Sequence, residues 1–286
     1  MNKCFKTLFV MAACPLLMLL AGCNSEKAFN AIPPVNPPVN PPVNPPVIAK
    51  LVEITVRPSR ITLAQTLTQQ LVAMAKYDDG SEKDISNAVI WEIVGDTTIA
   101  DLSASGLLTG TLKGNTQLTA SKDGITSNTV DVKVCLNLTE DCLDIVDTGS
   151  GKLFSNPPSG TFLDLLPGRK PTCQYFTGID GGTYYGCNWD NSKLLCEIYN
   201  DHSIGGRTNW RLPTKNELQM ELYNVYGNIV AGRGWPYFST IEAGYSYWTS
   251  TETTIVGTYE TVNVTNGISA PYNKSIYLFA SCVSEP

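Results

Sequence analysis

The chain has a single histidine, His202, in 286 residues. A Ser-His-Asp set, a Cys-His pair or a two-histidine metal site could be built only around that imidazole. His202 lies in Tyr199-Asn-Asp-His-Ser203, a polar loop before a glycine pair, which reads as surface rather than catalytic. No Cys-x-x-Cys pair occurs either, so the usual zinc frameworks are missing and no metal site is expected. There is no run or stripe of Lys and Arg. The formal net charge is −6, and taking the leader's Lys3 and Lys6 from the 20 basic residues leaves 18 against 26 acidic ones. A field of that sign argues against nucleic acid and, to a lesser degree, against sulphated polysaccharide. Neutral glycans, proteins or a bound cation remain as partners. With no nucleophile, base or cofactor motif in view, the expectation is a binding or structural protein, not an enzyme, with no cofactor.

One long apolar run is present, Leu8 to Leu20, behind Lys3 and Lys6. It is too short and wrongly flanked for a spanning helix and reads as a secretory signal over residues 1–22. Its end, Leu20-Ala-Gly-Cys23, resembles the lipobox of bacterial lipoproteins. That resemblance implies cleavage before Cys23, acylation of Cys23 and, with Asn24 rather than Asp next, export to the outer membrane. Two or more acyl chains anchor stably where one does not. Residues 23–49 then form the anchor and a stalk, with proline pairs recurring every four residues from Pro33 to Pro46. Proline fixes φ and removes donors, so the stretch reads as polyproline II, spanning roughly 55–60 Å from Ile32 to Lys50.

Residues 50–134 show short alternating segments, Leu51–Val56, Thr68–Tyr77, Val89–Val94, Gly114–Ser121 and Thr129–Val134. Turn signals such as Asp79-Gly80 and Asp123-Gly124 separate them, the pattern of a β-sandwich. The strings Tyr77–Ile85, Val89-Ile-Trp91 and Ile99–Gly110 resemble the bacterial Ig-like group 2 domain. This implies a spacer, with Trp91 in its core.

Residues 135–286 hold Cys135, Cys142, Cys173, Cys187, Cys196 and Cys282. Six cysteines in an exported chain read as three disulfides, with fifteen connectivities open. Helices are expected near Ser192–Tyr199 and over Thr214–Tyr226, and strands over Tyr245–Ser250, Thr258–Val264 and Ser275–Cys282. The second helix carries its own start, the capping box Thr214-x-x-Glu217. Leu218, Leu222 and Val225 supply its apolar face, and Gly227 its stop.

The string Asn209-Trp-Arg-Leu-Pro-Thr-Lys-Asn-Glu-Leu218 resembles the signature of the C-terminal domain of the Legionella collagen-like adhesin family. Tyr247-Trp-Thr-Ser-Thr251 and Tyr277-x-x-x-x-Cys282-Val resemble it too. The opening Thr148–Phe154 is less like that family and is similar to the tip domains of some invasin-like surface proteins. Arg211-Leu-Pro-Thr214 also resembles formylglycine-generating enzymes, whose reactive cysteines and downstream Arg-Gly-Gly-Ser-Trp stretch are missing, so their activity is not carried over. Both groups imply a C-type-lectin-like α+β fold, making the whole chain mainly β. The pairs then expected are Cys135–Cys142 and Cys173–Cys187 as local loops, with Cys196–Cys282, borrowed from lectin-like folds, tying a helix to the last strand.

Such domains can bind calcium through Glu-Pro-Asn and Trp-Asn-Asp triplets. Neither occurs, and six or more oxygens cannot be assembled from the sequence. Trp210 and Trp248, beside apolar neighbours, read as core. Arg233, Trp235 and Tyr237 of the Gly232–Tyr237 loop, with Tyr245, read as an exposed binding loop. The expected whole is a surface-exposed, lipid-anchored outer-membrane adhesin whose lectin-like tip binds a glycan or protein. The alternative is an envelope lipoprotein that docks onto a pilus or another surface protein.

Overall fold

The structure is a computed structural model that describes residues 48–178, 180–238 and 242–286. The signal, Cys23 and the proline-rich stalk lie outside the described residues. Residues 48–286 form one compact, mainly β unit. Among the described residues, no helix is long and apolar enough to cross a membrane.

Its N-terminal part is a β-sandwich. Leu51–Arg57 pairs antiparallel with Val72–Tyr77, which pairs with Glu82–Asp84. The facing sheet is centred on Gly114–Lys122, flanked by Val130–Cys135 and Ile90–Ile93, with Arg60–Ala64 parallel to Val130–Cys135. Alternation sends Val56, Ala73, Leu118 and Val132 inward from the two sheets to one core. The expected single strand Thr68–Tyr77 is broken at Leu71. Its first part pairs with Leu107–Gly110, its second with Leu51–Arg57, and the Leu71 amide donates to Gly106. Gly106 has φ +80°, and a Cβ there would come within 2.7 Å of the Trp91 ring. Trp91 packs half-buried against the core, its Nε1 donating to the Ser86 carbonyl at 2.9 Å. The expected boundary after residue 134 falls inside the strand Val130–Cys135.

The C-terminal part is clipped by Cys135–Cys142, Cys173–Cys187 and Cys196–Cys282, with Cα separations of 5.8, 4.4 and 5.6 Å. Ile145–Asp147, Leu153–Ser155 and Val283–Ser284 form a small buried sheet. A second sheet joins Ser246–Glu252, Thr258–Asn263 and Ser269–Asn273. The helix expected over Ser192–Tyr199 runs further, Trp189–Asp201, because the Asn188 side chain caps it by accepting from the Asn191 amide at 3.0 Å. The expected strand Ser275–Cys282 is not formed. The Asn273 side chain accepts from both the amide and hydroxyl of Ser275, turning the chain, and only Leu278 and Phe279 make isolated bridges.

The capping box closes as written. The Thr214 amide donates to Glu217 Oε2 at 2.8 Å, and the Glu217 amide donates to Thr214 Oγ1 at 3.2 Å. The helix that follows is π-helical over Glu217–Tyr223 and α-helical over Asn224–Tyr226. Leu218 and Leu222 are buried, but the wider π turn leaves Val225 exposed instead of on the buried face. Glu217 also receives Arg211 Nη2 at 2.7 Å and Lys152 Nζ at 2.9 Å. Burial alone would raise its carboxyl. The bonds from Arg211, the Thr214 amide and Lys152 outweigh that and hold it at about 2. The folded value lies below the unfolded 4.5, so this stabilisation is complete above pH 4.5 and fades as pH falls towards 2. Denaturant titrations across that window should show the native chain losing about 2–3 kcal/mol more than Glu217→Gln. Parallel curves would remove Glu217 as the acid-sensitive group.

Candidate functional site

Gly232–Tyr237 is the expected binding loop, and the local structure that leads into it is simple. Asn228 caps a short helix, Ile229–Arg233, by accepting from the Ala231 amide at 3.0 Å. Gly234, with φ +69°, ends it in the left-handed conformation and turns the chain into Trp235. That turn sends Arg233 and Trp235 inward. They are 6% and 1% exposed, so the expectation that both face solvent is corrected.

Their partner is Asp144, which is fully buried. Arg233 Nε and Nη2 donate to its two oxygens at 2.7 and 2.6 Å, and Trp235 Nε1 donates to Oδ2 at 2.7 Å. The fork leaves Nη1 free to donate to the Thr68 carbonyl of the β-sandwich at 2.7 Å. The guanidinium also lies 5.6 Å over the Tyr226 ring. Burial pushes the Tyr226 hydroxyl up to about 12, and it donates to the Asp147 carbonyl at 2.9 Å. Gln69 of the sandwich accepts from the Asp147 amide at 3.1 Å. Arg233 is therefore a clamp between the sandwich and the C-terminal region. Sequence reading missed Asp144 because it lies 89 residues away; a buried charge needs a distant opposite charge, and no local pattern marks it.

Tyr237 and Tyr245 do meet. They are half-buried and stacked, with centroids 4.2 Å apart and planes at 15°. The Tyr237 hydroxyl beside it raises the Tyr245 hydroxyl. Trp210 and Trp248 are core, 3% and 0% exposed. Trp189, not among the expected site residues, stacks on Tyr259 at 3.8 Å, while Lys193 Nζ sits 5.1 Å from its centroid. Both contacts consume ring surface that a sugar would need. Tyr175 is the most open aromatic of the region at 56%, paired with Tyr185, whose hydroxyl donates to Asp164 at 3.1 Å.

Where the clamp closes, a cleft of about 400 Å³ remains between the two parts. The turn Ala64–Leu67, the loop Leu136–Leu138, Asp180 and the segment Val230–Pro236 line it. The expected loop thus reaches a concavity, through Gly232, Gly234 and Pro236 more than through Arg233 and Trp235. His202 lies elsewhere, half-buried, with its Nε2 3.0 Å from the Pro167 carbonyl. Among the described residues, no group of three or more His, Cys, Asp or Glu is gathered in a way that could hold a metal ion.

Ice-binding protein 1 of Shewanella frigidimarina (strain NCIMB 400) is 37% identical over 135 residues, which is 47% of this chain and 14% of that protein. Among solved structures, the Yersinia pseudotuberculosis adhesin InvE aligns with 82% of this chain and 70% of its own at 16% identity and a TM-score of 0.36. An intimin mutant from EHEC O157:H7 aligns with 82% and 100%, at 14% identity and a TM-score of 0.29. At these TM-scores the likeness fixes neither topology nor ligand. Residues 169–284, from just before the strand Cys173–Thr177 to the last strand, match the family model of the Lcl C-terminal domain.

Proposed function

We propose that the chain is a surface-anchored, adhesin-type lipoprotein of the outer membrane, acylated at Cys23. Its C-terminal region, lectin-like in fold, binds a protein or glycan on a host or neighbouring cell, and its sandwich is a spacer of the bacterial Ig-like group 2 kind. The match of residues 169–284 to the Lcl C-terminal domain carries this reading. The order of parts supports it, since an anchor, a stalk and a sandwich are useful ahead of something presented outward. Cells bearing the chain should adhere to host-cell monolayers or to neighbouring bacteria more than cells lacking it. The acylated chain should retain ligands on a glycan array or a cell-surface protein array. Absence of both with a folded chain would overturn the reading. Cys23→Ser should release the chain from the membrane fraction.

A second reading, docking onto a pilus or another envelope protein, is favoured by one feature. Ile255 and Val256, at the turn between Ser246–Glu252 and Thr258–Asn263, are 64% and 93% exposed. Adjacent exposed aliphatics suit a standing protein contact. Cross-linking in the native envelope separates the two, because one dominant bacterial partner would favour docking.

A further inference from the structure

The junction cleft has the shape of a binding site and a definite chemistry. Its walls are aliphatic at the mouth and aromatic at the floor. Leu136 stands 49% exposed at the rim while Leu138, two residues on, is 5% exposed. Trp235 lies beneath with almost no free surface. The cleft offers a sugar ring no open aromatic face to stack on among its described residues, whereas an extended aliphatic side chain fits the walls as they stand.

Charge selects further. The charged side chains among the described lining residues are Asp180 and Arg233. Arg233 is neutralised by the two oxygens of Asp144 and is turned away into the junction. Asp180 is exposed, and its carboxylate is held in place by the Gly182 amide at 2.9 Å and the Tyr184 hydroxyl at 2.5 Å. The cleft therefore presents one fixed negative charge at its edge. It does so on a region, residues 135–286, with 15 acidic and 9 basic residues.

We propose that this cleft receives an extended segment of a partner polypeptide in which an aliphatic side chain lies next to a Lys or Arg. The aliphatic group fills the space between Leu67, Leu136 and Val230, and the cation meets Asp180. Because the sandwich supplies Ala64–Leu67 and the C-terminal region supplies the rest, the site is complete only when the two are clamped together. This rests on the binding reading above and adds the place and the kind of partner.

The test uses the full acylated chain in detergent against an array of 12-residue synthetic peptides of three compositions: basic–aliphatic, acidic–aliphatic and neutral polar. Basic–aliphatic peptides should be retained about tenfold more strongly than acidic–aliphatic ones, with the difference shrinking as salt is raised. Ala231→Trp, at an exposed position on the wall, should fill the cleft and lower that retention about tenfold. Should that variant unfold, Leu136→Ser at the exposed rim serves instead, with a smaller loss of about fivefold. Asp180→Asn should keep aliphatic retention and reduce the basic preference. Retention independent of peptide charge, or unchanged in folded Ala231→Trp and Leu136→Ser, would overturn the cleft assignment while adherence of whole cells still stood. Failure of both adherence and peptide retention would overturn both readings.

Discussion

Asp144→Asn should lower the melting temperature of the chain by roughly 6–20 °C. Asp144 is wholly buried and accepts three charge-directed bonds, two from Arg233 and one from Trp235. The amide keeps the shape but removes the charge, leaving the Arg233 guanidinium buried beside a neutral group. Removing one member of such a pair costs about 3–5 kcal/mol, and each kcal/mol shifts a unit of this size by about 2–4 °C. The loss should not be confined to the C-terminal region, because Arg233 also holds the Thr68 carbonyl of the sandwich. Differential scanning calorimetry should show one transition in the native chain and a split or broadened one in the variant. Replacing both partners by Leu and Met should cost much less than Asp144→Asn, since apolar groups leave no charge to desolvate. If the single variant melted within about 2 °C of the native chain, water must reach the pair and the clamp would not hold the junction.

The second large effect concerns the clip between the Trp189–Asp201 helix and the end of the chain. Cys196–Cys282 closes 86 residues, against 7 for Cys135–Cys142. On the chain-entropy account, losing the long loop costs about 4–5 kcal/mol and the short one about 2–2.5. The double variant Cys196→Ser/Cys282→Ser should accordingly unfold at distinctly lower denaturant than Cys135→Ser/Cys142→Ser, measured on otherwise oxidised chains. Both cysteines are buried beside Trp210, Leu212 and Trp248, so the hydroxyls that replace them add a desolvation cost to the lost link. Equal midpoints for the two variants would mean that the unfolded chain is compact enough to make loop length irrelevant.

Some of this molecule is written in short stretches of sequence. The capping box at Thr214 and Glu217, the stop at Gly227 and the alternation of Glu53–Val56 each involve residues within a few positions of one another, so their partners are visible in the string. The apolar positions Trp210, Leu218, Leu222 and Trp248 were readable as core for the same reason. Other elements were not. Thr68–Tyr77 reads as one strand, yet Leu71 hands the chain from one sheet to another because Leu107–Gly110 and Leu51–Arg57 compete for its two halves. Ser275–Cys282 has strand composition, but the Asn273 side chain turns its start away from the sheet.

The binding loop shows the division most sharply. From sequence alone, a Gly-Arg-Gly-Trp-Pro-Tyr stretch reads as an aromatic loop open to solvent, because loops on a rigid scaffold are where binding usually lives. Local chemistry determined that the chain turns there, through Asn228 and Gly234. Only the tertiary structure decided which way it turns. Asp144 lies 89 residues away and Thr68 165, and together they supply the charge and the carbonyl that make burial of Arg233 favourable. Helix caps, strand alternation and cysteine count act over a few residues or need no geometry, so the sequence determined them by itself. The burial of a charge, and with it the cleft left at the junction, depends on groups that meet only when two distant segments pack.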